Sequence, residues 1–344
     1  MTQPQPVLIG VDVGSTTTSG GLVTPGGEVL LTLVTGTHRD GPGTALDTIL
    51  GVVSHLLAQA SDQGCPVEGI GMGLPGIVDI VEGTMRKGFH RVPELVRAPL
   101  VELIRARSGV PVFIDNDVNA LGLAEWTWGL GRGAGSMVML ALGTGVGGAV
   151  ILDGHVVRGK SGYGGELGHV SVRFDGRPCV CGIRGCLSAY AAGIGLAMEF
   201  HRRTNDDAAR KSAEANYAEG LSDAEAVFRA ADAGNADARA MVREACQALG
   251  VAIGGIANGL NPDVIVITGG IVKSLARYED RILEHAAEYG FAATLADARI
   301  HFVPGYKNQT VRGGAALVLY ERSRRADHPP MTKFLVQHDI PAEG

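Results

Sequence analysis

The chain has 344 residues, enough to bury a large core and to form two domains. Its 45% apolar and 19% charged content is that of a globular protein. A formal net charge of −6 argues against a nucleic-acid-binding or membrane-surface role, so neither partner is expected.

In chain order, the opening Met-Thr-Gln-Pro-Gln-Pro is neither a signal nor a transit peptide. Residues 7–13 form an apolar strand, 14–18 a turn of small residues, 19–23 a second strand, Pro25-Gly26-Gly27 a turn, and 28–34 a third strand. Across 44–60, Leu46, Ile49, Leu50, Val53, Leu56 and Leu57 recur at helical spacing. Residues 67–72 predict a strand running into Gly73-Leu74-Pro75-Gly76, and 110–114 another running into Asp115-Asn116-Asp117 ahead of a helix. The opening pattern then returns: 137–142 is a strand, Gly143 to Gly148 a turn, 149–152 a strand and Asp153-Gly154 a turn, as in a duplicated domain. Residues 202–220 are polar, carry no motif, and read as a solvated helix or loop. A long helix spans 236–258 and Asn261-Pro262 stops it. Within it, the apolar glycine-rich stretch 249–260 is too short and too interrupted to span a bilayer. Residues 263–268 form a buried strand ahead of Gly269-Gly270 and a new helix, 311–322 a closing helix, and the residues after Ala326 a loose tail.

Three glycine-rich turns lie at strand ends. Asp12-Val13-Gly14-Ser15-Thr16-Thr17 places a carboxylate where it can hold hydrated Mg2+, beside backbone N–H groups for phosphate. Gly143-Thr144-Gly145 and Gly269-Gly270 let the backbone approach phosphate oxygens closely. One such turn is usually only a turn; three at strand ends, two of them in repeat-equivalent positions, indicate a nucleotide site. The 51 glycines, about twice the usual share, fit several tight loops around a ligand. In Asp115-Asn116-Asp117, one acid would suffice to cap a helix. Two acids interleaved with asparagines leave a carboxylate to take a proton from a substrate hydroxyl.

His169, Cys179, Cys181 and Cys186 place one imidazole and three thiols within eighteen residues, a sufficient set for a structural tetrahedral zinc. A disulfide or buried free thiols are the alternative. Cys65 and Cys246 stand alone as core thiols. Cysteine so sparse outside one knuckle fits a reducing cytoplasm.

These motifs, with Gly71-Met72-Gly73-Leu74-Pro75-Gly76 and Gly165-Glu166-Leu167-Gly168-His169, resemble in content and order those of the ROK family (repressors, open reading frames, kinases). The resemblance covers about Val7 to Leu319. It implies an α/β, two-lobed, actin- and hexokinase-like fold. The N-terminal lobe would span 1–118 with the closing segment 311–325, the C-terminal lobe 119–310, and the tail 326–344. It implies ATP and Mg2+ in the cleft, Asp117 as the base, and Asn116, Glu166, His169, Gly76 and Ser188 around the acceptor. His169 could give one ring nitrogen to zinc and the other to substrate. Family members are often dimers or tetramers, so a homo-oligomer is expected. The first strand begins too early for a preceding helix-turn-helix, so a repressor is not expected.

The chain departs from the family pattern in three places. Ser15 and Thr17 replace a glycine and a lysine in the phosphate turn. Ser188 replaces the glutamate that follows the knuckle and contacts sugar hydroxyls near the anomeric carbon. The sequence from Lys87 to Leu95 replaces an Asn-Leu-Pro-x-Trp type loop near the sugar. The expectation is therefore an ATP-dependent kinase for the primary hydroxyl of a sugar-like polyol, either a C7-cyclitol of the valiolone or validone type or an unusual sugar. A glucokinase or N-acetylhexosamine kinase acting at the 6-hydroxyl is the alternative, and a non-catalytic sugar sensor the rival from another class.

Overall fold

Short apolar strands and amphipathic helices assemble into two five-stranded sheets of identical topology. The computed structural model describes residues 5–87, 92–204, 224–305 and 309–327. The strands are β1 (Val7–Val13), β2 (Thr17–Val23), β3 (Val29–Gly36), β4 (Val67–Leu74), β5 (Ile77–Asp79), β6 (Thr84–Lys87), β7 (Val112–Asn116), β8 (Met137–Leu142), β9 (Val146–Leu152), β10 (His155–Val156), β11 (Val264–Gly269) and β12 (Arg299–Pro304). The sheet orders are β3-β2-β1-β4-β7 and β10-β9-β8-β11-β12. In each, three strands form an antiparallel meander and two more add in parallel. The repeat read from the sequence is this duplicated sheet.

Two strands begin earlier than their composition suggests. The turn after β1 is short because the Gly14 N–H donates to the Thr17 carbonyl (2.9 Å), so pairing resumes at Thr17. Residues Val146, Gly147 and Gly148, read as part of a turn, pair with Leu142, Ala141 and Leu140. The helices Ala236–Leu260 and Gln309–Asp327 run beyond their predicted ends. The second absorbs the first residues of the expected tail, whose remainder lies outside the described residues.

Each sheet has its own core. One gathers β1, β4 and the helix Ala45–Asp62. The other gathers β8, β11 and the helix Ala236–Leu260. That helix is long and apolar enough to cross a membrane, longer than the stretch noted in the sequence, but 61% of its most apolar window is buried inside the protein. A third core lies between the sheets. The helices Asp117–Trp128 and Gln309–Asp327 pack there with Leu8 of β1, Met139 of β8 and Val266 of β11. The closing helix sits very low on the first sheet. A Cβ on Gly10 would lie 1.8 Å from the Val311 carbonyl oxygen, and one on Gly71 2.0 Å from that of Gly314. Gly21, Gly10 and Gly71 are register partners, so glycines on three adjacent strands form a trench for the helix. Part of the glycine excess thus serves helix–sheet packing, not ligand loops.

Candidate active site

Asp12 of β1 pairs in register with Gly73 of β4, which pairs with Asp115 of β7. A Cβ on Gly73 would stand 3.0 Å from the Asp117 Cα, so glycine there lets the end of β7 fold in close. The three polar residues of that end have separate uses. Asp115 is buried and ion-paired to Arg158. Asn116 is the N-cap of Asp117–Trp128: its Oδ1 accepts from the Val118 and Asn119 N–H groups at 2.9 and 3.2 Å. Its Nδ2 donates to the Gly76 carbonyl at 3.1 Å. The expected acceptor ligand is therefore largely committed to the backbone.

Asp117 uses Oδ1 to accept from the Val118 N–H at 2.9 Å. Burial, then the charge of Asp12, push its carboxyl up to about 7, and Glu166 adds to the rise. Burial pushes Asp12 up to about 6, against a hydrogen bond from Thr310. Carboxylates from β1, the end of β7 and the turn after β10 thus share one electrostatic site. Glu166 precedes the 3-10 turn Leu167–His169. That turn packs hard against β9, since a Cβ on Gly168 would lie 1.9 Å from the Val146 carbonyl oxygen.

The phosphate turns are partly as read. In two of them the leading glycine uses its own N–H internally: Gly14 to the Thr17 carbonyl, and Gly143 to the Gly145 carbonyl, each 2.9 Å. Neither N–H is therefore free for phosphate, contrary to the simplest reading of such turns. Ser15 is partly exposed, and Thr16 and Thr17 are exposed at the tip. Gly269 has φ 111° and stacks on the Leu142 carbonyl, 2.2 Å from where its Cβ would be. This joins the Gly143-Thr144-Gly145 and Gly269-Gly270 turns. Gly143, Thr144 and Gly270 line one cavity of about 300 Å3 with Ala224, Glu225, Phe228, Ile271 and Ser274.

The ligand atoms of His169, Cys179, Cys181 and Cys186 all lie within 4.8 Å of one another. Nδ1 of His169 is 3.8 Å from Sγ of Cys179, and Sγ of Cys181 is 3.7 Å from Sγ of Cys186. A tetrahedron with zinc–sulfur bonds of ~2.3 Å has edges of about 3.8 Å. All five cysteines are free thiols, so no disulfide claims the cluster. Burial and the neighbouring thiols push Cys186 up to about 12 and also raise Cys179. The donor set fits the metal. Ser188 directly follows the knuckle and is buried, with its Oγ unpartnered among the described residues.

The ROK family model matches residues 8–321. The chain belongs to the ROK family. It is 33% identical over 313 residues to a glucokinase of Halalkalibacterium halodurans, covering 90% of this chain and 94% of that one. The ROK hexokinase of Thermus thermophilus superposes with a TM-score of 0.76 at 28% identity, covering 92% of this chain and 99% of that one. A ROK family glucokinase from Streptomyces griseus, solved with glucose and AMPPNP, gives a TM-score of 0.66 at 28% identity over 90% and 98% of the two chains. The fold is the two-lobed ROK sugar-kinase fold.

Motif reading of this ROK chain missed the Glu225, Phe228 and Ser274 walls of the cavity beside Gly143, Thr144 and Gly270. For Glu225 and Phe228 the signal was present in the strongly amphipathic helix Ala224–Asp232. It also missed Arg177, which ties the knuckle to the rest of its lobe. Its guanidinium stacks 4.4 Å over Tyr190, pairs with Glu244 and donates to the Ala189 carbonyl. Arg203 joins Glu199 to the same Glu244, and Arg202 also binds Glu199. Of the divergent loop, residues 88–91 lie outside the described residues, as do 205–223 of the polar segment. Arg202 and Arg203 themselves end the helix Gly193–Arg203.

Proposed function

We propose that this ROK chain is an ATP-dependent sugar kinase that phosphorylates the primary hydroxyl of a hexose-like polyol, with Asp117 as general base. The observation that carries the role of Asp117 is its placement: it opens a helix, is raised to about 7, and stands within the field of Asp12 and Glu166. A base poised near neutral pH can take a hydroxyl proton as the oxygen attacks the γ-phosphorus. Asp12 would hold Mg2+, which would neutralise charge on the phosphates and on the neighbouring carboxylates. Ser15, Thr16 and Thr17 would face the phosphates from one lobe and Gly143, Thr144, Gly145, Gly269 and Gly270 from the other. Closure of residues 1–118 and 311–325 on 119–310 would exclude water.

Glu166 and the Nε2 of His169 would hold acceptor hydroxyls, with Asn116 and Gly76 shaping the floor. His169 Nδ1, Cys179, Cys181 and Cys186 would hold a structural zinc that fixes the His169 ring. The finer reading of the acceptor is a C7-cyclitol. Ser188 supports it, because a carbocycle has no true anomeric centre for a longer acidic side chain to recognise. The unpartnered Oγ leaves one hydroxyl's worth of polar capacity at that end of the site.

The test is a coupled ADP-release assay over glucose, mannose, N-acetylglucosamine, N-acetylmannosamine, valiolone and validone. Turnover confined to the cyclitols is expected, with Ser188→Glu shifting preference toward glucose. Glucose turnover orders of magnitude above that of either cyclitol sinks the cyclitol reading and leaves a hexose kinase. No ADP release with any acceptor removes the kinase itself.

A further inference from the structure

No motif marks Arg158, yet its side chain is only 11% exposed and lies between two buried carboxylates. Its Nε and Nη2 each stand 2.7 Å from Asp115 Oδ2, and Nη2 is also 2.7 Å from Glu321 Oε1 on the closing helix. The other oxygen of Asp115 accepts from the Asn116 N–H at 2.7 Å and from Asn119 Nδ2 at 3.0 Å. The guanidinium carbon sits 5.5 Å from the Tyr320 ring centroid, and the Tyr320 hydroxyl accepts from the Val156 N–H just upstream of Arg158.

The placement joins both sides of the site. Asp115 is two residues before Asp117. The Arg158 carbonyl accepts from the Gly164 N–H at 2.9 Å, two residues before Glu166. One residue therefore connects the segment carrying the candidate base, in the first sheet, to the loop carrying an acceptor ligand, in the second. Buried ion pairs contribute little net stability, because desolvation offsets their attraction. What a planar, forked guanidinium does supply is direction.

We propose that Arg158 is a positioning residue for phosphoryl transfer. Through Asp115 and its own carbonyl it holds Asp117 in register with the Glu166 loop, and through Glu321 it anchors both to the closing helix. The inference rests on the kinase reading. It adds a determinant of geometry that acts through Asp115 and the Glu166 loop.

The test is steady-state kinetics on the full chain, with the unmodified protein as reference. A misplacement of about 1 Å at a reacting centre costs ~100-fold, so Arg158→Met is expected to lower kcat by about that factor while KM for ATP moves less than about threefold. Arg158→Lys keeps the charge without the fork and is expected to lose about tenfold in kcat. Asp115→Asn added to Arg158→Met is expected to lower kcat no further, as two halves of one contact should. Unchanged kcat in Arg158→Lys, or losses in the double variant that multiply, overturn the assignment. If Arg158→Met fails to fold, the lysine variant alone decides. An inactive reference overturns this inference with the kinase reading; an active reference with unaffected variants overturns the role of Arg158 alone.

Discussion

At the scale of single residues, Asp117 carries a conflict between folding and chemistry. An unfolded aspartate titrates at about 3.8, whereas here burial and the charge of Asp12 raise the group to about 7. Between those values the folded chain holds more protons than the unfolded one, so this group's contribution to stability is lost as pH rises through the window. Catalysis runs the other way: a base must be ionised, so kcat/KM is expected to rise through about pH 7 and to collapse below it. Asp117→Asn should therefore lose phosphoryl transfer by at least ~100-fold and melt at a higher temperature than the unmodified chain at pH 8. The gain in melting temperature should shrink toward pH 5. Thermal melts across pH beside the coupled assay check both. A variant that melts lower at pH 8 would mean the burial of Asp117 carries no strain. The triplet Asp115-Asn116-Asp117 was legible as chemically loaded. The resemblance singled out Asp117 as the candidate base, but the ion pair of Asp115 was not legible, because Arg158, itself held by Glu321, reaches Asp115 from far along the chain.

At the scale of elements, the knuckle was the most legible feature, because cysteine spacing and glycine turns constrain each other locally. The Cys179 N–H donates to the Ile183 carbonyl at 2.8 Å and the Gly182 N–H to the Cys179 carbonyl at 2.9 Å, which wraps the chain round its ligands. The Arg177 network that anchors the knuckle was not legible, since Glu199 and Glu244 lie on separate helices. If the metal fixes His169, its removal should weaken acceptor binding and leave nucleotide binding alone. About one zinc per chain is expected by elemental analysis. Cys181→Ser should lose that metal, lower the melting temperature and raise KM for the acceptor about tenfold or more, with ATP affinity unchanged by calorimetry. Full metal retention, or equal losses of ATP and acceptor binding, would separate the knuckle from the acceptor site.

At the scale of the whole molecule, the duplicated sheet order follows from local strand grammar and was readable as a repeat. How the halves join was not, because contact between the closing helix and the first sheet leaves only scattered glycines in the sequence. Gly10 and Gly71 are register partners beneath Val311 and Gly314. A Cβ at Gly10 meets a backbone oxygen at 1.8 Å, and backbone cannot swing aside as a flexible side chain can. Gly10→Ala should thus lift the helix off the sheet and destabilise the fold by about 3 kcal/mol, the upper end for overpacking. The two tryptophans, Trp126 and Trp128, both lie on the helix Asp117–Trp128 and pack against the third core, between the sheets. Their fluorescence reads that core, while far-UV circular dichroism reads both sheets. Because the closing helix packs in the third core, whose strands β1, β8 and β11 also line the other two cores, Gly10→Ala is expected to shift both urea transitions downward together. A fluorescence midpoint that falls while the dichroism midpoint stays would mean that the halves unfold independently. An unchanged pair would mean that the helix accommodates the extra carbon, and that the glycine trench is not what joins the molecule.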